Sequence, residues 1–213
     1  MGNSDREKIE LDRELEAQSK QQVATEIGTY IRIIIIAIIF AIILFQVIFI
    51  NAFVPSGSME STIDAETHLI GYRLAYLFEE PERGDIVVFK YPVNEDDKYI
   101  KRIIGLPGET VEISDGNIYI DGTLLEEGYL TEEWTNYNDG YYYEVPEDSY
   151  LLLGDNRSVS LDSRFWASEA ISEGLADTEE EAVSYSFVTR EQIVAKALFA
   201  FWPKIYKIED YDY

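Results

Sequence analysis

Residues 98–122 read KYIKRIIGLPGETVEISDGNIYIDG, and the type of domain is decided there. Lys98–Ile104 alternates in the manner of a strand and runs into the Leu106-Pro107-Gly108 turn. Thr110–Ser114 and Asn117–Ile120 are short β-branched and apolar runs on either side of Asp115-Gly116. Asp-Gly supplies the two positive-φ positions of a tight hairpin, and Asp121-Gly122 repeats the signal. Outward from this stretch, Asp85–Phe89, Tyr141–Val145, Tyr150–Leu153 and Ile193–Phe201 are further candidate strands. Many short strands punctuated by glycine turns predict a mainly β domain, an antiparallel sheet or barrel-like body. Two stretches break the rhythm. Residues 126–140 are acidic and tyrosine-rich and read as a surface loop. Residues 167–186 carry six acidic and no basic residues, and read as an exposed insertion with a helix-like LADTEEEAVS core.

Upstream of the β region, Ile33–Ile50 is apolar except for Gln46. At 1.5 Å per residue such a helix spans roughly 27 Å, close to the hydrocarbon thickness of a bilayer. The run is longer than the apolar region of a cleavable leader, and Asn51-Ala52-Phe53-Val54 lacks a small-x-small cleavage pattern, so an uncleaved anchor is expected. Arg6, Lys8, Arg13, Lys20 and Arg32 precede it, and the next basic residue is Arg73. Counting basic residues alone places the N-terminus in the cytoplasm and the β region outside. The expected organisation is a polar cytoplasmic tail over 1–27, a transmembrane helix over 28–50 and an extracytoplasmic domain over 51–213.

The 213 residues carry 41 Asp and Glu against 17 Lys and Arg, a net charge of −24. Nucleic-acid binding rests on cationic neutralisation of phosphates and is not expected of this chain. Without cysteine there is no disulfide or thiolate nucleophile, and with His68 as the single histidine no metal site or cofactor is expected.

Three segments hold candidate chemistry. Pro55-Ser56-Gly57-Ser58-Met59 has linker composition, but apolar Met59 and Ile63 follow where a tether would stay polar. In the second, alternation puts Tyr99, Lys101 and Ile103 on one strand face and Ile100, Arg102 and Ile104 on the other. An exposed edge strand also favours lysine. In a central strand, however, burial disfavours the ammonium and lowers its pKa. A free lysine is neutral in roughly one copy per few thousand at pH 7, so a lysine base must be desolvated. The third, Gly154 to Arg164 (GDNRSVSLDSR), is rich in short polar and paired charged groups, consistent with an internally bonded loop.

Together these segments resemble the bacterial type I signal peptidase family. The boxes are Pro55–Met59, Arg83–Phe89 (RGDIVVF), Lys101–Gly108 (KRIIGLPG) and Gly154–Arg164, in order behind an N-terminal anchor. The resemblance implies a membrane-bound serine endopeptidase that removes signal peptides from exported preproteins. In that family pattern Ser58 is the nucleophile and Lys101 its general base, Ser56 donates to the oxyanion beside the Ser58 N–H, and Ser160 orients the lysine. Arg102, Asp155, Asp162 and Arg164 occupy bracing positions. It further implies that an extended substrate adds as a strand, with small pockets for Ala-like side chains and walls drawn from Phe53, Val54, Pro55, Met59, Ile63, Tyr99 and Ile100. The implied partners are signal peptides of preproteins and the lipid bilayer; oligomeric state is not legible.

Departures from the pattern lie outside the pair. Glu60-Ser61-Thr62 stands where the family usually has x-Pro-Thr, and Ala65-Glu66 where Gly-Asp is usual, which raises the alternative of a specialised enzyme with restricted substrates. Other readings are a repressor-type Ser/Lys autopeptidase, a protease using His68, and a non-enzymatic anchored β interaction domain. The first calls for a DNA-binding module where this chain has an apolar span, and the last has no need of Ser58 and Lys101 together.

Overall fold

The computed structural model describes residues 3–130 and 140–211. The chain divides into two units, residues 1–47 and 48–213. The first is essentially one helix, α1 (Asn3–Ile48), so the polar tail expected over 1–27 and the apolar span are continuous. Its Lys20–Ile48 portion is long and apolar enough to cross a membrane, by length and composition.

The helix ends two residues before the expected span does. Phe49–Val54 forms strand β1, antiparallel to β2 (Thr67–Tyr72), with Phe49 opposite Tyr72 and Val54 opposite Thr67. An apolar run does not by itself distinguish helix from strand, and here FINAFV is drawn into the sheet by its pairing and by Val54, which is buried in the core.

The remaining strands are β3 (Ile86–Tyr91), β4 (Asn94–Gly105), β5 (Thr110–Ser114), β6 (Asn117–Ile120), β7 (Thr123–Leu124), β8 (Tyr141–Glu144), β9 (Ser149–Leu153), β10 (Val188–Thr189), β11 (Ile193–Trp202) and β12 (Tyr206–Lys207). The larger sheet has the order β1-β2-β11-β3-β4-β9-β10, with β12 on β11; the smaller has the order β7-β6-β5-β8. The observed pairings are antiparallel, as expected of a mainly β domain. The β5–β6 hairpin turns on Asp115 and Gly116, both at positive φ, and Asp121 and Gly122 repeat this before β7.

Both faces of the large sheet are covered. Ile86, Val88 and Ile100 point into one cluster with Val54, Met59, Ile63 and Leu69. Val87, Phe89, Tyr91 and Ile103 point into another with Trp166. A third cluster joins Ile104, Leu151 and Leu153 to the small sheet through Val111, Ile113 and Ile118. Strand β4 lies between β3 and β9 from Arg102 onward and has both faces covered on either side of that point, and it holds Lys101 and Arg102 inside the domain at 4% and 1% exposure.

The acidic segment 167–186 differs from its reading as a merely exposed insertion. Helix α2 (Ser163–Ser172) begins inside the 154–164 loop, capped by the Asp162 side chain, and Trp166 from it fills the core. A short helix α3 (Glu179–Ala182) and a 3-10 turn (Val183–Ser186) follow. Ala170, Ala176, Ala182 and Ser186 are buried, so the acidic residues face outward from small residues that pack. Of the 126–140 loop, residues 131–139 lie outside the described residues, and the part before them is not a plain surface loop. The Glu127 side chain is 8% exposed and paired to Arg157.

Candidate active site

Ser58 lies in a single 3-10 turn, Gly57–Met59, directly after β1. Met59 is fully buried and pins that turn to the core. The chain then reverses. Glu60 has φ −56° and ψ 145°, Ser61 has φ 90°, and the Thr62 N–H donates to the Met59 carbonyl at 3.0 Å, a type II turn.

Lys101 reaches this turn from β4. Its Nζ is 2.7 Å from Ser58 Oγ and 2.9 Å from its neighbour's carbonyl, Ile100 O. Burial pushes the amine down to about 8, while Asp162 and Asp155 pull it back up and Arg164 adds to the lowering. A largely enclosed, readily neutralised amine in hydrogen-bond contact with a hydroxyl can take that hydroxyl's proton. The Ser56 hydroxyl is 3.4 Å from Ser58 Oγ and belongs to an exposed residue.

Two charge pairs hold the loop after β9 behind these groups. Arg102 grips Asp155 through Nε to Oδ1 (2.9 Å) and Nη2 to Oδ2 (2.8 Å), and its Nη1 donates to Gly84 O at 2.7 Å. Both side chains of this pair are at most 1% exposed, and the guanidinium lies 4.0 Å from the Tyr129 ring centroid. The Thr62 hydroxyl donates to Asp155 and accepts from Arg102, which ties the type II turn to the pair. Arg164 chelates Asp162 in the same way, at 2.8 Å on each oxygen. Burial opposes ionisation of Asp162, but Arg164, the Gly154 N–H and Ser160 outweigh it and hold its pKa below the usual carboxylate range.

Ser160 is buried in this loop beside Asp162. Its hydroxyl is not one of the two hydrogen-bond partners of Lys101, and among the described residues it has no well-formed hydrogen bond of its own. The backbone here is tightly apposed: the Asn156 N–H donates to Ser58 O at 3.1 Å. A Cβ on Gly154 would lie 2.5 Å from Ser58 O and 2.1 Å from Ser160 Oγ, so only glycine allows the approach.

A groove of about 550 Å³ opens over the pair. Its walls are residues 50–56 of β1 and its extension, residues 98–101 of β4, Val88, and Val159 and Leu161 of the loop. Of the expected wall residues, Phe53, Val54, Pro55, Tyr99 and Ile100 line it. Met59 and Ile63 do not; both are fully buried in the core behind β1, where their apolar bulk supports the wall rather than forming its surface. Val159 and Leu161, unassigned in the sequence, do line it, and their alternation around buried Ser160 is the signal that marks them. Arg157 is a further brace missed there: it is 4% exposed, and Nη1 and Nη2 hold both oxygens of Glu127. His68 sits on β2 with its ring 4.8 Å from Phe53 and 5.8 Å from Phe201, half-buried, and makes no hydrogen bond to Ser58 among the described residues.

Comparison with known proteins identifies the family. The family model for signal peptidase, peptidase S26, matches residues 27–202. The chain is 38% identical over 159 residues to a probable signal peptidase I-2 of Synechocystis sp., a match covering 71% of this chain and 62% of that protein. It is 37% identical over 159 residues to a signal peptidase I of Leptolyngbya laminosa, covering 71% and 68%. A crystal structure of a signal peptidase I from Enterococcus faecalis, 32% identical, aligns with a TM-score of 0.43 over 55% of this chain and 97% of that one. The matched region thus spans less than two thirds of the length of the Synechocystis relative. The protein belongs to the signal peptidase family, peptidase S26.

Proposed function

We propose that the protein is a membrane-anchored serine endopeptidase that removes signal peptides from exported preproteins, with Ser58 as nucleophile and Lys101 as general base. The observation that carries this reading is the buried Lys101 amine, 2.7 Å from Ser58 Oγ, beneath the groove. The neutral amine takes the Ser58 proton as Oγ attacks the scissile carbonyl, and the resulting ammonium returns a proton to the leaving amine. Water then hydrolyses the ester on Ser58, activated by the same amine. The developing oxyanion is met by the Ser58 N–H and the Ser56 hydroxyl, whose position beside Ser58 Oγ supports the role. Each such donor is worth about 3–4 kcal/mol in the transition state.

The substrate lies extended in the groove. Strand β1 is an edge strand, and β4 begins its pairing with β9 only at Arg102, so both walls offer unpaired backbone to a peptide. Ser56 to Lys101 handles the chemistry while Val54 and Ile100 favour small side chains beside the cut. The helix Lys20–Ile48 anchors the chain in a bilayer with residues 1–27 cytoplasmic and the β domain outside, supported by the basic residues that precede it.

The test is cleavage of a preprotein by detergent-solubilised full-length protein and its variants. Ser58→Ala and Lys101→Ala are expected to lose activity by at least about a thousand-fold, the scale of losing a member of a catalytic unit, while His68→Ala retains it. Full activity in Lys101→Ala, or loss in His68→Ala alone, would overturn the assignment.

A further inference from the structure

The groove has a charge pattern unlike that of the chain around it. Acidic residues outnumber basic ones by 41 to 17 overall, yet the charged side chains along the groove lining are two lysines, Lys98 and Lys101, with no carboxylate. Lys101 is committed to Ser58. Lys98 is exposed and, among the described residues, has no hydrogen bond or ion pair, whereas Lys90, Lys196 and Lys204 are each matched to a carboxylate. Its partner across the ladder in β3 is Lys90, whose own charge is balanced by Glu95 at 3.5 Å. The acidic residues nearest in sequence, Glu95, Asp96 and Asp97, are exposed at the start of β4, in the irregularity between the Tyr91–Asn94 and Lys90–Lys98 pairs, and are not on the groove lining.

Position along the strand sets what Lys98 faces. Lys98 and Ile100 share a face of β4, about 7 Å apart, and Lys98 lies about 10 Å from Lys101 at the strand's rise per residue. β4 is unpaired with β9 over this stretch. A substrate strand with its reacting carbonyl at Ser58 and its neighbouring small residues against Ile100 next passes Lys98.

We infer that Lys98 is a specificity-determining residue, selecting an acidic over a basic side chain four or five residues upstream of the cleaved bond. The inference rests on the protease reading of the groove and narrows its substrates. Asp96 and Asp97 lie within a screening length of Lys98 and weaken its field, but they are off the groove lining. The more distant negative charge is screened beyond about 8 Å at physiological salt, so in the groove the lysine is the charge nearest the substrate. The effect is that of a partly exposed ion pair, hence modest: about five-fold between a favourable and an opposing charge.

The experiment uses full-length protein in detergent and peptides carrying a neutral parent cleavage sequence, with Glu, Gln or Lys placed in turn at the fourth and fifth residue before the cut. At one of these positions kcat/KM is expected to run Glu > Gln > Lys, about five-fold between the ends at low ionic strength, and to flatten toward about 1 M salt. Lys98→Gln should remove the ordering and Lys98→Glu should reverse it. Equal rates for the three peptides at every position, or an unchanged ordering in Lys98→Gln, would overturn the inference while leaving the protease reading intact. Failure of the wild type to cut the neutral parent peptide would overturn both.

Discussion

At the scale of single residues, Lys101 spends stability to acquire a useful protonation state. An ammonium inside the domain loses its hydration, and the amine there falls from about 10.5 to about 8. Because the folded value lies below the unfolded one, the unfolded chain binds the extra proton between about pH 8 and 10.5. The penalty is therefore fully present below pH 8 and disappears as pH rises through the window. At pH 7 it amounts to about 3 kcal/mol from the size of the shift. Lys101→Met, which keeps the stem and removes the amine, is expected to be more stable than wild type by about that amount at pH 7 and by less than about 1 kcal/mol at pH 10. Chemical denaturation of the two proteins at both pH values reads this directly. A difference that does not depend on pH would place the gain in packing and not in the ionisation. Arg102 and Arg164 show the opposite solution to burial, since each is chelated by a carboxylate that is itself enclosed.

At the scale of elements, the Met59–Thr62 turn connects the candidate nucleophile to the Arg102–Asp155 pair, and it is one of the two places where this chain departs from the family pattern. Ser61 stands at φ 90°, a region open to glycine and strained for a side chain. Proline, usual in the family at this point, has φ fixed near −65° and does not fit the turn as this chain forms it. Ser61→Gly is expected to stabilise the domain by about 0.5–1 kcal/mol, and Ser61→Pro to destabilise it by about 2–3 kcal/mol. Thermal unfolding of both variants checks the signs; a stabilising proline would mean that the turn has another conformation. That conformation was not legible in SMEST, because a serine carries no mark of positive φ, whereas Asp115-Gly116 and Asp121-Gly122 do. The hairpins they close were accordingly readable to the residue in β5 and β6. The β1 strand was not, since FINAFV continues the apolar run of the anchor and reveals itself only through pairing with β2. The helix α2 was likewise hidden: its first turn belongs to the polar DSR motif, and its core contact comes from Trp166 alone among the large side chains.

At the scale of the whole molecule, the site is assembled by long-range contacts. Ser58 and Lys101 are 43 residues apart, and Arg102 and Asp155 are 53 apart. Local pattern marked each segment as ambiguous: a linker-like serine, an edge-like lysine and a polar loop. The order of the four boxes brought them together in the sequence, through resemblance and not through periodicity. The covering of both faces of the sheet around β4 then supplies the physical reason that Lys101 is buried. The groove's charge and the buried positions of Met59 and Ile63 depend on which strands are neighbours, and no local pattern carries that information. The measurement that tests the central claim most directly is the pH dependence of kcat/KM for preprotein cleavage by the wild-type protein. A Ser58–Lys101 pair predicts an acid limb with an inflection near pH 8, the pH at which Lys101 becomes neutral. A rate that climbs without inflection toward pH 10 would mean an unperturbed amine and would contradict it.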